Sequence, residues 1–236
     1  MSIREYYKME KEIQNKVYRI EDKKVAVYPS TGTNMPILYL NMFSEEGHNI
    51  YKALHNRGLN CTLVVISRLN WHQDMAPWDI PSIAKGFIPC TKGADLYLEL
   101  LVNKIMPEVE KDISGILWRG LVGYSLAGLF AIYSIYQTEV FSRVASISGS
   151  LWFPEFKEYV FSNKIRGKLD DLYFSLGDKE CRTKNAYLKK VQENTENIVE
   201  FFQKKGINTI FQKNIGGHNK EVVERIVAGI EWLLGK

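Results

Sequence analysis

The fold of this chain is decided by one stretch, Leu121-Val122-Gly123-Tyr124-Ser125-Leu126-Ala127-Gly128-Leu129. An apolar run leads into this stretch, and the apolar segment that follows has the spacing of a buried helix. Ser125 is therefore predicted to lie at a sharp turn between a strand and a helix. A strained turn of this kind needs small neighbours, and Gly123 and Ala127 are those neighbours. The serine oxygen would then stand clear of the sheet edge.

The pattern resembles the nucleophile elbow of the α/β-hydrolases, in which a serine on such a turn attacks esters. The second glycine of the usual G-x-S-x-G motif is replaced by Ala127, and Gly128 follows one place later. Such a motif arises by chance in on the order of a tenth to a fifth of chains this long. A serine that only caps a helix would look the same. The rest of the chain has to separate these two interpretations.

The length allows one large α/β domain or two small ones, and the prediction is one domain that spans residues 1–236. The chain has 236 residues, of which 45% are hydrophobic and 25% charged, as in ordinary globular proteins. Its net charge of +4 comes from 31 basic and 27 acidic residues without a basic block, so nucleic-acid binding is not expected. Cys61, Cys90 and Cys181 lie far apart, which indicates neither a disulfide framework nor a zinc site.

The first eight residues lack the apolar core of a signal peptide, and no run of the chain approaches eighteen apolar residues. No membrane association is therefore expected, and the default location is a reducing cytoplasm.

Strands and helices alternate along the chain. Residues 15–28 read as a β-hairpin, and continuous apolar runs indicate buried strands at 37–43 and 61–66. Further strands are predicted at 144–149, 172–176 and 209–212, and helices at 49–56, 186–205 and 221–234. This order predicts an α/β-hydrolase fold: a mostly parallel central sheet with helices on both faces and no separate lid domain.

One long irregular segment, residues 67–92, interrupts this alternation. Segments of this length inside compact domains are often functional, so we expect it to form a wall of a substrate pocket. Three of its polar and aromatic residues are candidate substrate contacts: His72, Asp74 and Trp78. The alternative is a proline-stiffened cover over the sheet edge.

A serine that cleaves esters needs a base and a carboxylate that orients the base. In this fold the three groups follow the order Ser, Asp or Glu, His, each after a strand. His48, His55 and His72 precede Ser125, so only His218 comes late enough. The Gly-Gly pair before His218 would let its loop turn inward.

Two acidic residues directly follow the predicted strand 172–176. Hydrolases of this fold usually carry the acid three residues past the glycine that ends the strand, which selects Glu180 over Asp178. Asp178 stays the alternative, because a two-residue shift of the loop would substitute it.

The oxyanion of the intermediate needs two backbone amides. We expect one from Leu126 and the other from Met42 or Phe43.

Four motifs together resemble the esterase D-like α/β-hydrolases: the elbow, Ser-Gly-Ser-Leu-Trp at 148–152, Leu-Gly-Asp-Lys-Glu at 176–180 and Gly-Gly-His at 216–218. Within that group the chain is most similar to the branch of enterobactin-type siderophore esterases and their bacterial relatives. The resemblance covers roughly residues 15–235.

The resemblance implies roles for individual residues. It implies Ser125 as nucleophile, His218 as base and Glu180 as acid. It also places Trp152 in the pocket, although core packing is an equal alternative, and it places residues 74–78 in a loop that faces the active site. Tyr124, next to the nucleophile, joins the candidate substrate contacts.

The resulting prediction is a serine carboxylic-ester hydrolase that works through an acyl-enzyme on a small-molecule ester, without a metal or organic cofactor. Two alternatives stay open at this point. One is acyl transfer by the same residues, and the other is a non-catalytic binding protein on a hydrolase scaffold. Neither the natural ester nor the oligomeric state is predicted.

Overall fold

A computed structural model of the chain describes residues 15–45 and 47–235. Eight strands form one sheet: β1 Lys16–Ile20, β2 Lys23–Tyr28, β3 Met35–Asn41, β4 Thr62–Ser67, β5 Ile116–Tyr124, β6 Arg143–Ile147, β7 Asp171–Gly177 and β8 Asn208–Asn214. Their spatial order is β1-β2-β4-β3-β5-β6-β7-β8. The pairs β1–β2 and β2–β4 are antiparallel, and all other neighbours are parallel.

Helices connect most of the parallel strands. They are α1 Gly47–Asn56, the short α2 Trp71–Asp74, α3 Ala94–Leu100, α4 Met106–Glu110, α5 Leu126–Ser134, α6 Phe156–Ser162, α7 Val191–Lys204 and α8 Val222–Leu233. A π-helical turn, Leu101–Ile105, joins α3 to α4, and a 3₁₀ turn, Leu188–Lys190, precedes α7.

The strands and helices form because their apolar residues can be buried on both faces of the sheet. All six residues of β4 and all nine residues of α5 are buried, as expected for elements in the middle of a layered fold. One core cluster lies on the face that α3, α5 and α7 cover. A second cluster lies on the face that α1 and α8 cover. The expected helices on both faces are therefore confirmed.

The parallel register brings six loops to one edge of the sheet. Strands β3, β4, β5, β6, β7 and β8 run in the same direction, so their carboxyl ends meet there. The residues that follow these ends include Phe43, Ser125, Ser148, Glu180 and His218. The candidate site is built at this edge.

Most of the predicted elements are present, with shifted ends. The hairpin at 15–28 is confirmed as β1 and β2, and the buried strands and the terminal helix lie within about two residues of their predicted bounds. The segment 67–92 is less irregular than expected, because it contains α2 and a bridge between Ile80 and Cys90. The predicted helix 186–205 starts later, at Val191, after the 3₁₀ turn. Helix α6 was not predicted, since its seven residues are too few to show a clear helical period.

No helix in the described part of the chain combines the length and the hydrophobicity that spanning a bilayer requires. The described residues also form no separate lid. That residues 1–236 make up one domain stays a prediction, and the interpretation of residues 1–8 lies outside the described residues.

Candidate active site

Ser125 lies at the turn between β5 and α5, as its sequence context predicts. Its φ of 59° and ψ of −123° put a non-glycine residue in a strained backbone conformation. Two of its backbone bonds reach β6 and the loop after β6: the Ser125 N–H donates to Ile147 O at 3.0 Å, and Ser125 O accepts from Ser150 N at 3.0 Å. Gly123 is required for the same turn, because a Cβ at that position would lie 2.0 Å from Ala127 O. Packing on β6 and the next loop therefore stabilises the strained serine.

His218 lies between Ser125 and Glu180. Its Nε2 is 3.0 Å from Ser125 Oγ, and its Nδ1 is 2.7 Å from Glu180 Oε2. The loop that carries it turns at Gly216, whose φ of +110° favours glycine. The Tyr124 hydroxyl donates to the His218 backbone carbonyl and fixes the loop against the elbow. A serine, an imidazole and a carboxylate are thus connected by two hydrogen bonds.

Glu180 is held by donors on both of its oxygens. Oε1 accepts from the Gly177 N–H at 2.6 Å, from Ser148 Oγ at 2.8 Å and from Arg225 Nη1 at 3.1 Å. Oε2 faces His218. Burial alone would raise the pKa of Glu180, but the bond and charge of His218, with the Gly177 and Ser148 bonds, hold that pKa below its ordinary value. The carboxylate is therefore ionised beside the imidazole at neutral pH.

Asp178, the alternative acid, has a different task. Its Oδ1 accepts the Gly216 N–H at 2.7 Å, and its own N–H donates to Asn214 O at 2.8 Å. The residue is exposed. Asp178 thus braces the loop that leads to His218, whereas Glu180 contacts the ring.

The expected oxyanion donors are distributed over two loops. Leu126 is the first residue of α5, where backbone amides have no intrahelical partner. The Met42 N–H is already used, because it donates to Ile66 O at 2.9 Å. Of the two alternatives on the loop after β3, this leaves Phe43 as the candidate for the second donor.

Two cavities meet at Ser125 and His218. The first, here the Trp152 cavity, has a volume of about 270 Å³, and its apolar wall consists of Phe87, Trp152, Leu188 and Val191. The second, here the Trp71 cavity, has a volume of about 300 Å³, and its apolar wall consists of Met42, Phe43, Trp71, Tyr124, Val222 and Ile226. Both sizes suit one half of a small ester. Of the predicted substrate contacts, Tyr124 and Trp152 line these cavities.

The other three predicted contacts line neither cavity. Asp74 forms an ion pair with Lys23 at 2.7 Å, and Lys23 is 4% exposed, so the carboxylate is occupied by a structural bond. Trp78 packs against Phe153 and donates its indole N–H to Pro154 O at 3.1 Å. His72 is partly buried in α2, and burial lowers its pKa. Asp74 and Trp78 thus fix the segment 67–92 to the body of the protein. That these three residues contact the substrate stays a prediction.

Sequence reasoning missed several residues of the site. Trp71 and Phe87 come from the segment that was expected to form a pocket wall, but they were not selected. Ser148 lies in the Ser-Gly-Ser-Leu-Trp motif, which could have pointed to it. Arg225 had no sequence signal, because an arginine in an amphipathic helix normally marks the solvent face.

The described residues contain no group of three or more His, Cys, Asp or Glu side chains that could hold a metal ion. The three cysteines are free thiols; Cys61 and Cys90 are buried, and burial raises their pKa values to about 12 and about 11.

Comparison with known proteins gives a family for this architecture. A family model described as putative esterase matches residues 21–224. Among curated proteins, the uncharacterized protein YbbA of Bacillus subtilis (strain 168) is 22% identical in an alignment of 228 positions that covers 89% of this chain and 89% of its own.

Solved structures show the same fold. The IroE-like serine hydrolase from Shewanella oneidensis aligns with a TM-score of 0.77 and 16% identity over 94% of this chain and 79% of its own. The siderophore hydrolase EstA from Aspergillus nidulans aligns with a TM-score of 0.75 and 16% identity over 94% of both chains. The enterobactin hydrolase IroE, in complex with DFP, aligns with a TM-score of 0.70 and 18% identity over 94% of this chain and 95% of its own. The α/β-hydrolase fold and the resemblance to this esterase branch are thereby confirmed.

Proposed function

Since the chain belongs to the putative esterase family and is a serine esterase of the α/β-hydrolase fold, we propose that it hydrolyses a carboxylic ester through an acyl-enzyme on Ser125. One observation carries the proposal: the two hydrogen bonds that run from Ser125 Oγ through His218 to Glu180, at 3.0 Å and 2.7 Å. This arrangement lies where both cavities meet.

The proposed chemistry begins at Ser125. His218 Nε2 takes the serine proton while Oγ attacks the acyl carbon, and the carbonyl oxygen becomes an oxyanion. Glu180 Oε2, on the other side of the ring, stabilises the imidazolium that forms. The Leu126 and Phe43 amides are the proposed oxyanion donors, and one such donor is typically worth roughly 10²–10³ in kcat.

The second half of the reaction reverses the proton transfers. His218 gives its proton to the leaving alkoxide, which departs as the alcohol and leaves the acyl group on Ser125. Water then enters, His218 removes its proton, and attack on the acyl carbon releases the acid and restores the serine. Every proton passes through one ring nitrogen that lies within hydrogen-bonding distance of the nucleophile.

The proposed substrate is a small-molecule ester with apolar groups on one or both sides of the bond. The walls of both cavities are mostly aromatic and aliphatic, which favours such groups. Siderophore esters are the first class to assay, because the structural relatives EstA and IroE are described as siderophore and enterobactin hydrolases.

The test is mass spectrometry after treatment with a fluorophosphonate, beside hydrolysis of short p-nitrophenyl esters. We expect one adduct, on Ser125, and measurable turnover. Ser125→Ala should abolish the adduct and lower kcat by several powers of ten, roughly 10⁴–10⁶-fold. Ser150→Ala is the matched control: its Oγ lies 3.5 Å from Ser125 Oγ in the same cavity, and the variant should still be labelled on Ser125. Near-normal turnover in Ser125→Ala would refute the proposal.

A further inference from the structure

Arg225 is a buried cation in the first turns of α8. Its side chain is 2% exposed, and a charge so far from water is costly unless it is paired. Its position also opposes the helix dipole, which disfavours a cation near a helix N-terminus. Both costs have to be offset by what the guanidinium contacts.

Within the described residues, four acceptors of this guanidinium belong to the loops of the candidate site. Nη1 donates to Glu180 Oε1 and to Ser148 Oγ, both at 3.1 Å. Nη2 donates to Gly217 O at 3.1 Å and to Ile215 O at 3.4 Å, on the loop that carries His218. One rigid side chain thereby links the segment of the acid to the segment of the base.

Ser148 completes the arrangement. It has a φ of 46°, its N–H donates to Ser175 O at 2.8 Å, and its hydroxyl donates to Glu180 Oε1 at 2.8 Å. With the Gly177 N–H, Oε1 accepts from three groups. The carboxylate cannot rotate without breaking these bonds, so Oε2 is kept towards His218 Nδ1.

We propose that Arg225 is a positioning residue of the esterase reaction: through Glu180 Oε1 and the Gly217 carbonyl it sets the distance and angle between the acid and His218. The inference rests on the proposed function. A misplacement of about 1 Å in such a group can cost roughly 10²-fold in rate. Substrate binding should be unaffected, because the guanidinium lines neither cavity.

The charge of Arg225 gives the proposal a second consequence. A cation 3.1 Å from the carboxylate that pairs with His218 weakens the stabilisation of the imidazolium. Its removal should therefore raise the pH at which kcat/KM falls on the acid side. Other titratable groups near the pair are Tyr124, Tyr173 and Asp178, with Lys220 and Glu221 at the start of α8, and all of them are unchanged by the substitution.

The experiment compares Arg225→Met and Arg225→Lys with wild type by kcat, KM, the pH profile of kcat/KM and thermal melting. For Arg225→Met we expect kcat to fall roughly 10–100-fold with KM unchanged, and the acid limb to move to higher pH. Arg225→Lys keeps the charge but loses the fork of donors, so we expect a smaller loss of kcat and an acid limb at the wild-type pH.

Arg143→Met is the matched control. Arg143 donates to Leu233 O at the other end of α8 and pairs with Asp171, away from Ser125. The Arg143→Met substitution should lower the melting temperature and leave kcat and the acid limb of the pH profile unchanged. An equal loss of kcat in Arg143→Met would overturn the proposal, because the effect would then come from α8 as a whole. A pair of results would also overturn the proposal. In that pair, Arg225→Lys has wild-type kcat, and Arg225→Met has either wild-type kcat or an acid limb at the wild-type pH.

Two further measurements separate a folding defect, a failure of the proposed function and a failure of the positioning role. If Arg225→Met does not melt cooperatively, Arg225→Lys decides alone, and wild-type kcat in that variant overturns the proposal. Labelling of wild-type Ser125 by the fluorophosphonate is measured in parallel. Loss of that labelling would defeat the proposed function itself, whereas labelled wild type with fully active Arg225 variants would defeat only the positioning role.

Discussion

Glu180 and Asp178 are two acidic residues on the same loop, and their contacts predict different effects on activity. Glu180 Oε2 lies 2.7 Å from His218 Nδ1, whereas Asp178 Oδ1 accepts the Gly216 N–H. We expect Glu180→Gln to lower kcat by roughly 10²–10⁴-fold, because the imidazolium loses its counter-charge. Asp178→Asn should lower kcat by less than about tenfold, since an amide oxygen can still accept the hydrogen bond from the Gly216 N–H.

Steady-state kinetics with a p-nitrophenyl ester checks both variants. A large loss in Asp178→Asn with near-normal turnover in Glu180→Gln would reverse the assignment of the acid. Melting curves serve as the control, because both variants must be folded for the comparison to hold.

The ionisation of Glu180 also predicts how stability depends on pH. Its folded pKa lies below the ordinary value of 4.5, so near that pH the folded state binds fewer protons than the unfolded chain. The stabilisation is fully present above the unfolded pKa and is lost as the pH falls through the folded pKa. We therefore expect the free energy of unfolding to fall more steeply below about pH 4.5 in wild type than in Glu180→Gln.

Urea unfolding at several pH values between 3 and 7 measures this difference. Identical acid slopes for wild type and Glu180→Gln would show that Glu180 does not contribute to acid destabilisation.

The elbow between β5 and α5 depends on Gly123 for steric reasons. A Cβ at this position would lie 2.0 Å from Ala127 O, and a backbone atom cannot move away without shifting α5. We expect Gly123→Ala to cost roughly 1–3 kcal/mol of unfolding free energy and to lower kcat, because Ser125 moves with the helix. Denaturant unfolding and kinetics on the same sample measure both effects.

Gly58→Ala is the control for Gly123→Ala. Gly58 has a φ of +68° but open space around it, so a methyl group costs only the left-handed strain, roughly 1–2 kcal/mol. Its kcat should be that of wild type. A normal kcat in Gly123→Ala would contradict the steric account of the elbow.

The ion pair between Asp74 and Lys23 joins α2 to the start of β2. Lys23 is buried, and Asp74→Asn leaves its ammonium group paired with the exposed Asp22 carboxylate, 3.0 Å away. We expect the free energy of unfolding to fall by roughly 2–3 kcal/mol. This is less than the roughly 3–5 kcal/mol that a fully broken buried pair costs, because Asp22 remains. KM should not change. A raised KM without loss of stability would instead support Asp74 as a substrate contact.

The elements that were predicted well are those in which burial decides the local structure. Strands such as β4 are continuous apolar runs, and only a sheet covered on both faces can bury them. The α6 segment and the bridge between Ile80 and Cys90 depend on tertiary contacts instead. No local period marks them in the sequence.

At the scale of the whole molecule, chain order predicted which groups would meet. The fold fixes that loops after parallel strands share one edge, so a serine, an acid and a histidine in the right order were expected together. Arg225 could not be found this way, because it reaches the site from the buried side of a helix. The pairing of Asp74 with Lys23 could not be predicted either, because a carboxylate in a long loop looks the same whether it binds substrate or pairs with a distant lysine.

The two cavities have different aromatic walls, and this separation predicts independent control of the two halves of the ester. Trp152 follows β6, whereas Trp71 starts α2 and packs edge-on against Phe43, with 5.5 Å between the ring centroids. Removing either ring takes apolar contact from one side of Ser125 only. We expect Trp152→Ala and Trp71→Ala each to lower kcat/KM roughly tenfold for esters that fill the affected side.

Two substrate series separate the effects: p-nitrophenyl esters of increasing acyl length, and acetates of increasingly large alcohols. One variant should lose its preference along the acyl series and keep it along the alcohol series, and the other variant should do the opposite. The reason is geometric, because the acyl and alcohol groups of an ester attacked at its carbonyl carbon leave that carbon in different directions. Equal losses along both series in both variants would mean that the substrate occupies one continuous groove, with Ser125 along its wall.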